Sequence, residues 1–294
     1  MSLMWNGAFV GTLLAALVLM GCTRSTDDRT ARGLSTVAAF YPLGWVADRV
    51  GGGHVDVDLL TAPGVEPHDL ELSPQQVAQV ADADVVLYEA GLQPAVDDVV
   101  EQEAEGTVVD AAEVVPLVSV GDQLDPHFWL DPDRVATLAG AVAGSFAEAD
   151  PVRAESYRRR ADLLVGQLER LDRDYRKALT GCRTDVVVTS HDAFGYLAER
   201  YGLTLLPIAG IDPGSEPSTQ RLAELVDLVR RADVTTVFTE ALASPAIAQA
   251  LADEAGVAVA TLDPIEGLTD ETADEDYLSL MRSNLDALTQ ANGC

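Results

Sequence analysis

The stretch "PVRAESYRRRADLLVGQLERLDRDYRKALT", residues 151–180, decides the fold. Tyr157, Ala161, Leu164, Leu168, Leu171 and Tyr175 recur in it at spacings of three and four, and after Pro151 it holds no proline and one glycine, Gly166. That spacing draws a single apolar stripe along an α-helix. About 30 residues at 1.5 Å each give a rod of roughly 45 Å, long enough to run the height of the molecule and join two lobes. Its charged face reads as solvated surface.

On both sides of this helix, strands alternate with helices. Upstream come the strand "STVAAF" (35–40), the helix "YPLGWVADRVGG" closed by glycines, and the strand "HVDVDLL" (54–60). The Pro/Gly-rich loop "TAPGVEPHDLEL" leads to the helix "SPQQVAQVADA", with Ser73 as N-cap, Pro74 as first helical residue and Gln76 as capping-box partner. The strand "DVVLYEAG", a weaker strand "TVVDA" and a loop holding "DPHFWLDP" follow. Downstream the strands are "TDVVVT", "LTLLPIAG", "VTTVFT" and "VAVATL", separated by helices and closed by the helix "DYLSLMRSNLDALTQ". Such alternation implies mainly parallel sheets with helices on their faces. The expected fold class is α/β: a lobe over 35–150, a linking helix over 151–181 and a second lobe over 182–294.

At 294 residues and 48% hydrophobic content the chain can bury a sizeable core. Its formal net charge of −29 argues against nucleic acid, whose phosphates need Lys and Arg. The same charge draws cations over long range at low salt.

The first 21 residues carry no charged side chain, and "GAFVGTLLAALVLM" is an apolar run of 14. A helix of that length, about 21 Å, is too short for a bilayer core of about 30 Å and fits the centre of a secretory signal. The run ends "LMGC", which resembles the lipobox of bacterial lipoproteins, cut before Cys22 and acylated on its thiol. Two features depart from that pattern: there is no positively charged start, and Met20 stands two residues before the cysteine. The expectation is a signal peptide over 1–21 and a lipidated tether over 22–34, anchored to the outer face of the cytoplasmic membrane. With Cys22 lipidated, Cys182 and Cys294 remain as an even pair in an oxidising compartment, and a bridge between them is expected.

Ligands of open α/β sheets bind beyond the carboxyl ends of the strands. Those positions in the second half hold His191 in "SHDAF", Glu240 and Asp263; in the first half, His68 in "EPHD" and His127 in "DPHFWLDP" lie in loops after strand-like runs. Imidazole nitrogen with carboxylate oxygen is a ligand set for zinc, while manganese and iron accept the same donors at higher coordination with more carboxylate. Taken singly, a loop histidine is more often surface than ligand. His54 in "GGGHVDV" is assigned no role.

The motifs "AAFYPLGWVADRVGG", "APGVEPHDLELSP", "DADVVLYEAG", "DPHFWLDP", "TSHDAFGYLAERYGL", "EPS", "VFTEAL" and "LDPIEGL", in this order, resemble those of the zinc and manganese solute-binding lipoproteins of ABC importers, the cluster A-I or ZnuA-like family. The resemblance spans about residues 35 to 293. It implies two βα lobes joined by one long rigid helix, with one metal held between the lobes and a membrane permease as partner to a monomeric protein. It further implies His68, His127 and His191 as ligands, Asp263 or a water as the fourth, and Glu240 behind a ligand histidine, fixing its tautomer.

In that family the manganese and iron members tend to carry a carboxylate where this chain has His191, so the resemblance points to zinc. The His-rich loop of many zinc members is absent, since "AAEVVPLVSVGDQL" holds no histidine. That keeps manganese as the alternative. The acidic run "EGLTDETADEDY" reads as a solvated loop. Release is expected to be gated by small shifts around His191 and "IDPGSEPS". A rival from another class is a zinc hydrolase with Glu240 as general base, which would need an open metal position. Related lipoproteins have also been described as adhesins, and no feature of this sequence supports that role.

Overall fold

Each half of the chain builds a four-stranded parallel sheet with the same strand order. The computed structural model describes residues 1–2, 33–215 and 217–294. Residues 3–21 of the expected leader, Cys22 and the tether to residue 32 lie outside the described residues. In the first sheet β1 (Leu34–Ala38), β2 (Val55–Leu59), β3 (Val85–Tyr88) and β4 (Thr107–Asp110) run in the order β2-β1-β3-β4. Thr36 of β1 pairs with Val57 on one side and Val85 on the other. A short antiparallel hairpin follows, β5 (Val118–Val120) with β6 (Gln123–Asp125). The second sheet contains β7 (Val186–Thr189), β8 (Thr204–Pro207), β9 (Thr236–Thr239) and β10 (Ala258–Thr261), in the order β8-β7-β9-β10. Both orders are 2-1-3-4, so each sheet has a switch point between its first and third strands, where the chain leaves to opposite sides and opens a crevice.

The linking helix spans Ala154–Ala178, and its buried residues are Tyr157, Ala161, Leu164, Leu168, Leu171 and Tyr175, the stripe expected from the spacing. Pro151 to Arg153 form a turn rather than helix, so the rod starts three residues later than expected. It packs along the helices Pro132–Ala149 and Tyr41–Gly51 and against the C-terminal helix Tyr277–Asn292. Tyr175 Oη donates to the carbonyl of Met281 at 2.5 Å, fastening the rod to that last helix. The main core runs through the whole arrangement, from Val37 and Phe40 through Leu168 to Leu262 and Met281. A smaller cluster of Val188, Leu225, Val229, Val237 and Leu251 lies under the second sheet.

The cap of the Pro74–Asp82 helix forms as expected: Ser73 Oγ accepts from Gln76 N, and Gln76 Oε1 accepts from Ser73 N. The elements that went unanticipated include the helix Pro94–Glu103, the helix Pro132–Ala149 and the β5–β6 hairpin. The helix Pro132–Ala149 carries Gly140 and Gly144, which weaken its helical signature by about 1 kcal/mol each relative to alanine. The β5–β6 hairpin lies in a segment read as loop. Its turn passes through Gly121 at φ 60°, a conformation glycine adopts freely. Cys182 and Cys294 form the expected disulfide, tying the chain end to the segment before β7.

Candidate metal centre

His191 stands just beyond β7 and Glu240 just beyond β9, the two strands that flank the switch point of the second sheet. Glu240 Oε1 accepts from His191 N at 3.0 Å, and Glu240 Oε2 lies 2.6 Å from His191 Nδ1. Both carboxylate oxygens are thereby engaged on one residue. This holds a proton on Nδ1 and turns Nε2 inward, toward His127 and Glu266, as the atom that would meet a metal.

His127 is held in the same manner. It follows β6 and opens the 3-10 turn Phe128–Leu130; Asp125 Oδ1 accepts from its backbone N at 3.0 Å and lies 2.7 Å from its Nδ1. His68 sits in the 3-10 turn Pro67–Asp69, whose cap, Glu66 Oε1, accepts from His68 N at 3.3 Å. His127 and His191 are buried, while His68 is 12% exposed and forms the side nearest solvent.

The fourth member is Glu266, not Asp263. One donor atom from each of His68, His127, His191 and Glu266 lies within 4.8 Å of all the others. Glu266 Oε1 is 3.2 Å from His127 Nε2, 3.5 Å from His191 Nε2 and 3.8 Å from His68 Nε2, and the Nε2 atoms of His127 and His191 are 3.3 Å apart. Zinc bonds of 2.0–2.1 Å in a tetrahedron put ligand atoms about 3.3 Å apart. Glu266 Oε1 and His68 Nε2 are buried without a hydrogen-bond partner, as expected of donors aimed at a cation.

Asp263 is placed elsewhere for a local reason. Its Oδ1 accepts from Ile265 N at 2.7 Å, and Asn284 grips its backbone, with Oδ1 accepting from Asp263 N and Nδ2 donating to Asp263 O. Trp129 Nε1 donates to the carbonyl of Pro264 at 2.7 Å. Ile265 is held at φ 59°, unusual for a β-branched residue. The clamped turn swings Glu266 into the cluster. The sequence carried only a faint signal of this: Glu266 lies in "LDPIEGL", at the start of a run taken for solvated loop. Asp125 and Glu66 were likewise visible only as carboxylates beside a histidine.

The electrostatics bind these groups to one another. Burial pushes the Glu266 carboxyl up, yet the surrounding imidazoles of His127, His191 and His68 bring it well below the usual carboxylate range. Burial pulls His191 down, but Glu240 and Glu266 raise it to about 10; His127 is raised, against burial, by Asp125 and Glu266. Burial and then the charge of Glu266 push Glu66 up to about 8, while burial, with the charges of Glu266 and Glu240, raises Asp263 to about 6. Without a metal the pocket is an anionic oxygen beside two imidazoles, those of His127 and His191, that favour protons, a charge pattern that a dication can replace.

A pocket of this make-up, at the switch point of a two-sheet α/β frame, defines a receptor for a divalent cation. The chain belongs to the zinc-uptake complex component A, periplasmic (ZnuA) family, whose model matches residues 36–291. It is 33% identical over 302 residues to the zinc-binding lipoprotein AdcA of Streptococcus pneumoniae, covering 96% of this chain and 60% of that protein. It is 31% identical over 308 residues to the high-affinity zinc uptake system protein ZnuA of Bacillus subtilis, covering 97% and 96%. The Zn(II)-bound ZnuA-like domain of S. pneumoniae AdcA superimposes with a TM-score of 0.79 at 34% identity, covering 89% of this chain and all of that one.

Proposed function

We propose that this protein is an exported zinc receptor that captures zinc outside the cytoplasmic membrane and delivers it to the permease of an ABC importer. The observation that carries the reading is the convergence of three imidazole nitrogens and Glu266 Oε1 within 4.8 Å of one another, with the His127, His191 and Glu266 atoms 3.2 to 3.5 Å apart, near the edge of a zinc tetrahedron. His68, His127, His191 and Glu266 would be the ligands. Asp263 would support the turn that presents Glu266, and Asp125 and Glu240 would orient two of the imidazoles. A single carboxylate among four donors favours zinc over manganese, which prefers more oxygen ligands. The zinc-binding relatives support the same choice.

Four protein donors complete a tetrahedral zinc and leave no position for a reactive water. That supports capture rather than catalysis. The leader over 1–21 and the cysteine of "LMGC" support export and a lipid on Cys22, as do relatives named as lipoproteins. In this reading the protein is a monomer. The lobes over 35–150 and 182–294 close on the metal across the helix 151–181. A cavity of about 270 Å³ borders His191, lined in part by Ile208, Ala209, Ala243 and Ile247. Small shifts of these loops would loosen His191 and release the metal to the permease.

Competitive titration of the metal-free protein with zinc and manganese tests the reading. Tighter zinc binding at one site per chain, abolished by His127→Ala, supports it. Tighter manganese binding under matched conditions would overturn the choice of metal.

A further inference from the structure

The contact between His127 and His191 is governed by one short helix, Gly195–Tyr201, which begins four residues after His191. It rides on the segment Asp125–Asp131 that carries His127, and it grips that segment at both ends. At the near end Gly195 allows a close approach: a Cβ there would stand 2.7 Å from Asp125 Oδ2, on the carboxylate that holds the His127 ring. Next to it the buried Tyr196 Oη donates to the carbonyl of Asp125 at 2.7 Å and accepts from Val118 N at 2.8 Å. At the far end Arg200 Nε lies 3.1 Å from Asp131 Oδ1 and 2.6 Å from Asp172 Oδ1 of the linking helix. Asp131 itself caps the helix Pro132–Ala149 by accepting from Asp133 N. Neither Tyr196 nor Arg200 belongs to the donor cluster.

We infer that the Gly195–Tyr201 helix is a bracket that fixes the spacing of His127 and His191, with Tyr196 and Arg200 as positioning residues that make the site selective for a small tetrahedral cation. The inference rests on the zinc reading above. Its physical basis is the 3.3 Å separation of the two Nε2 atoms, which matches a tetrahedral edge. A cation that prefers six oxygen-rich ligands needs the donors to spread. The bracket resists that spread because the chain after His191 is pinned on both sides of His127. The ion pairs of Arg200 are largely shielded, with side-chain exposures of 16% for Arg200, 9% for Asp131 and 17% for Asp172.

The test uses Tyr196→Phe, Arg200→Met and the conservative Arg200→Lys. Arg176→Met is the control, since Arg176 pairs with the same Asp172 and meets the bracket only over the Tyr201 ring, 5.8 Å away, with no hydrogen bond or ion pair to Asp125, Asp131 or either histidine. Zinc and manganese affinities are measured together with the absorption spectrum of the cobalt-loaded protein, which reports coordination geometry. Tyr196→Phe and Arg200→Met are expected to weaken zinc by about ten-fold, to narrow the preference over manganese and to weaken the tetrahedral cobalt bands. Arg200→Lys should recover part of the loss, and Arg176→Met should match the wild type. Wild-type selectivity and spectrum in both positioning variants would overturn the bracket, as would an equal change in Arg176→Met. A wild-type protein that binds no zinc would instead sink the zinc reading, and the bracket with it.

Discussion

Glu240 holds His191 at two points, one oxygen on its backbone N–H at 3.0 Å and the other 2.6 Å from its Nδ1. The two residues stand at the ends of neighbouring parallel strands, so the sheet itself sets the direction of the imidazole. Neutralising the carboxylate removes the strong acceptor that fixes the tautomer. Glu240→Gln is expected to weaken zinc binding by about ten-fold to a hundred-fold with little change in fold, measured by chelator competition alongside circular dichroism. Unchanged affinity would show that the orientation of His191 does not depend on Glu240.

The second prediction separates Glu266 from Asp263. Glu266→Gln removes the anionic donor and should cost about a hundred-fold or more in zinc affinity, at the upper end of what ligand-shell changes cause. Asp263→Asn keeps an oxygen that can accept from Ile265 N, so a loss of no more than about three-fold is expected, well below that ligand-shell range. Parallel titrations of the two variants decide it; the reverse ranking would return Asp263 to the ligand set.

Much of this was legible in the sequence, for reasons that differ by residue. The stripe from Tyr157 to Tyr175 was readable because helical periodicity is local and the buried set follows it. His68, His127 and His191 were readable because histidines are rare in this chain and each follows a strand. Glu266 was not. Asp263 and Glu266 both follow β10, three residues apart, and which one faces the pocket depends on a left-handed isoleucine and on an asparagine in the last helix. Neither of these leaves a local signature. The helix Pro132–Ala149 was hidden for a related reason, since packing against the linking helix outweighs its two glycines.

Zinc binding should depend on pH with a defined sign. Zinc takes neutral imidazole, whereas His191 in the metal-free protein is pushed up to about 10 and His127 is raised as well. Binding therefore expels at least about one proton at neutral pH, and affinity should rise by about ten-fold per pH unit between roughly pH 6 and 9. Glu266 stays ionised through this range and adds no slope. Calorimetry in buffers of different ionisation enthalpy counts the protons; a pH-independent affinity would contradict the charge pattern of the pocket.

The disulfide closes a separation of 112 residues. Its removal by Cys182→Ser with Cys294→Ser should cost about 2–5 kcal/mol of stability. Thermal unfolding should shift down accordingly, while zinc affinity stays within about two-fold, since neither cysteine belongs to the donor cluster. An equal stability in the double variant would mean the bridge constrains little.

The most direct measurement is a crystal structure of the zinc-loaded protein with anomalous data at the zinc edge. The expected result is one peak bonded to the Nε2 atoms of His68, His127 and His191 and to Glu266 at about 2.0–2.2 Å, with Asp263 still on Ile265 N. A peak bonded to Asp263, or a zinc with an open water position in place of Glu266, would contradict it.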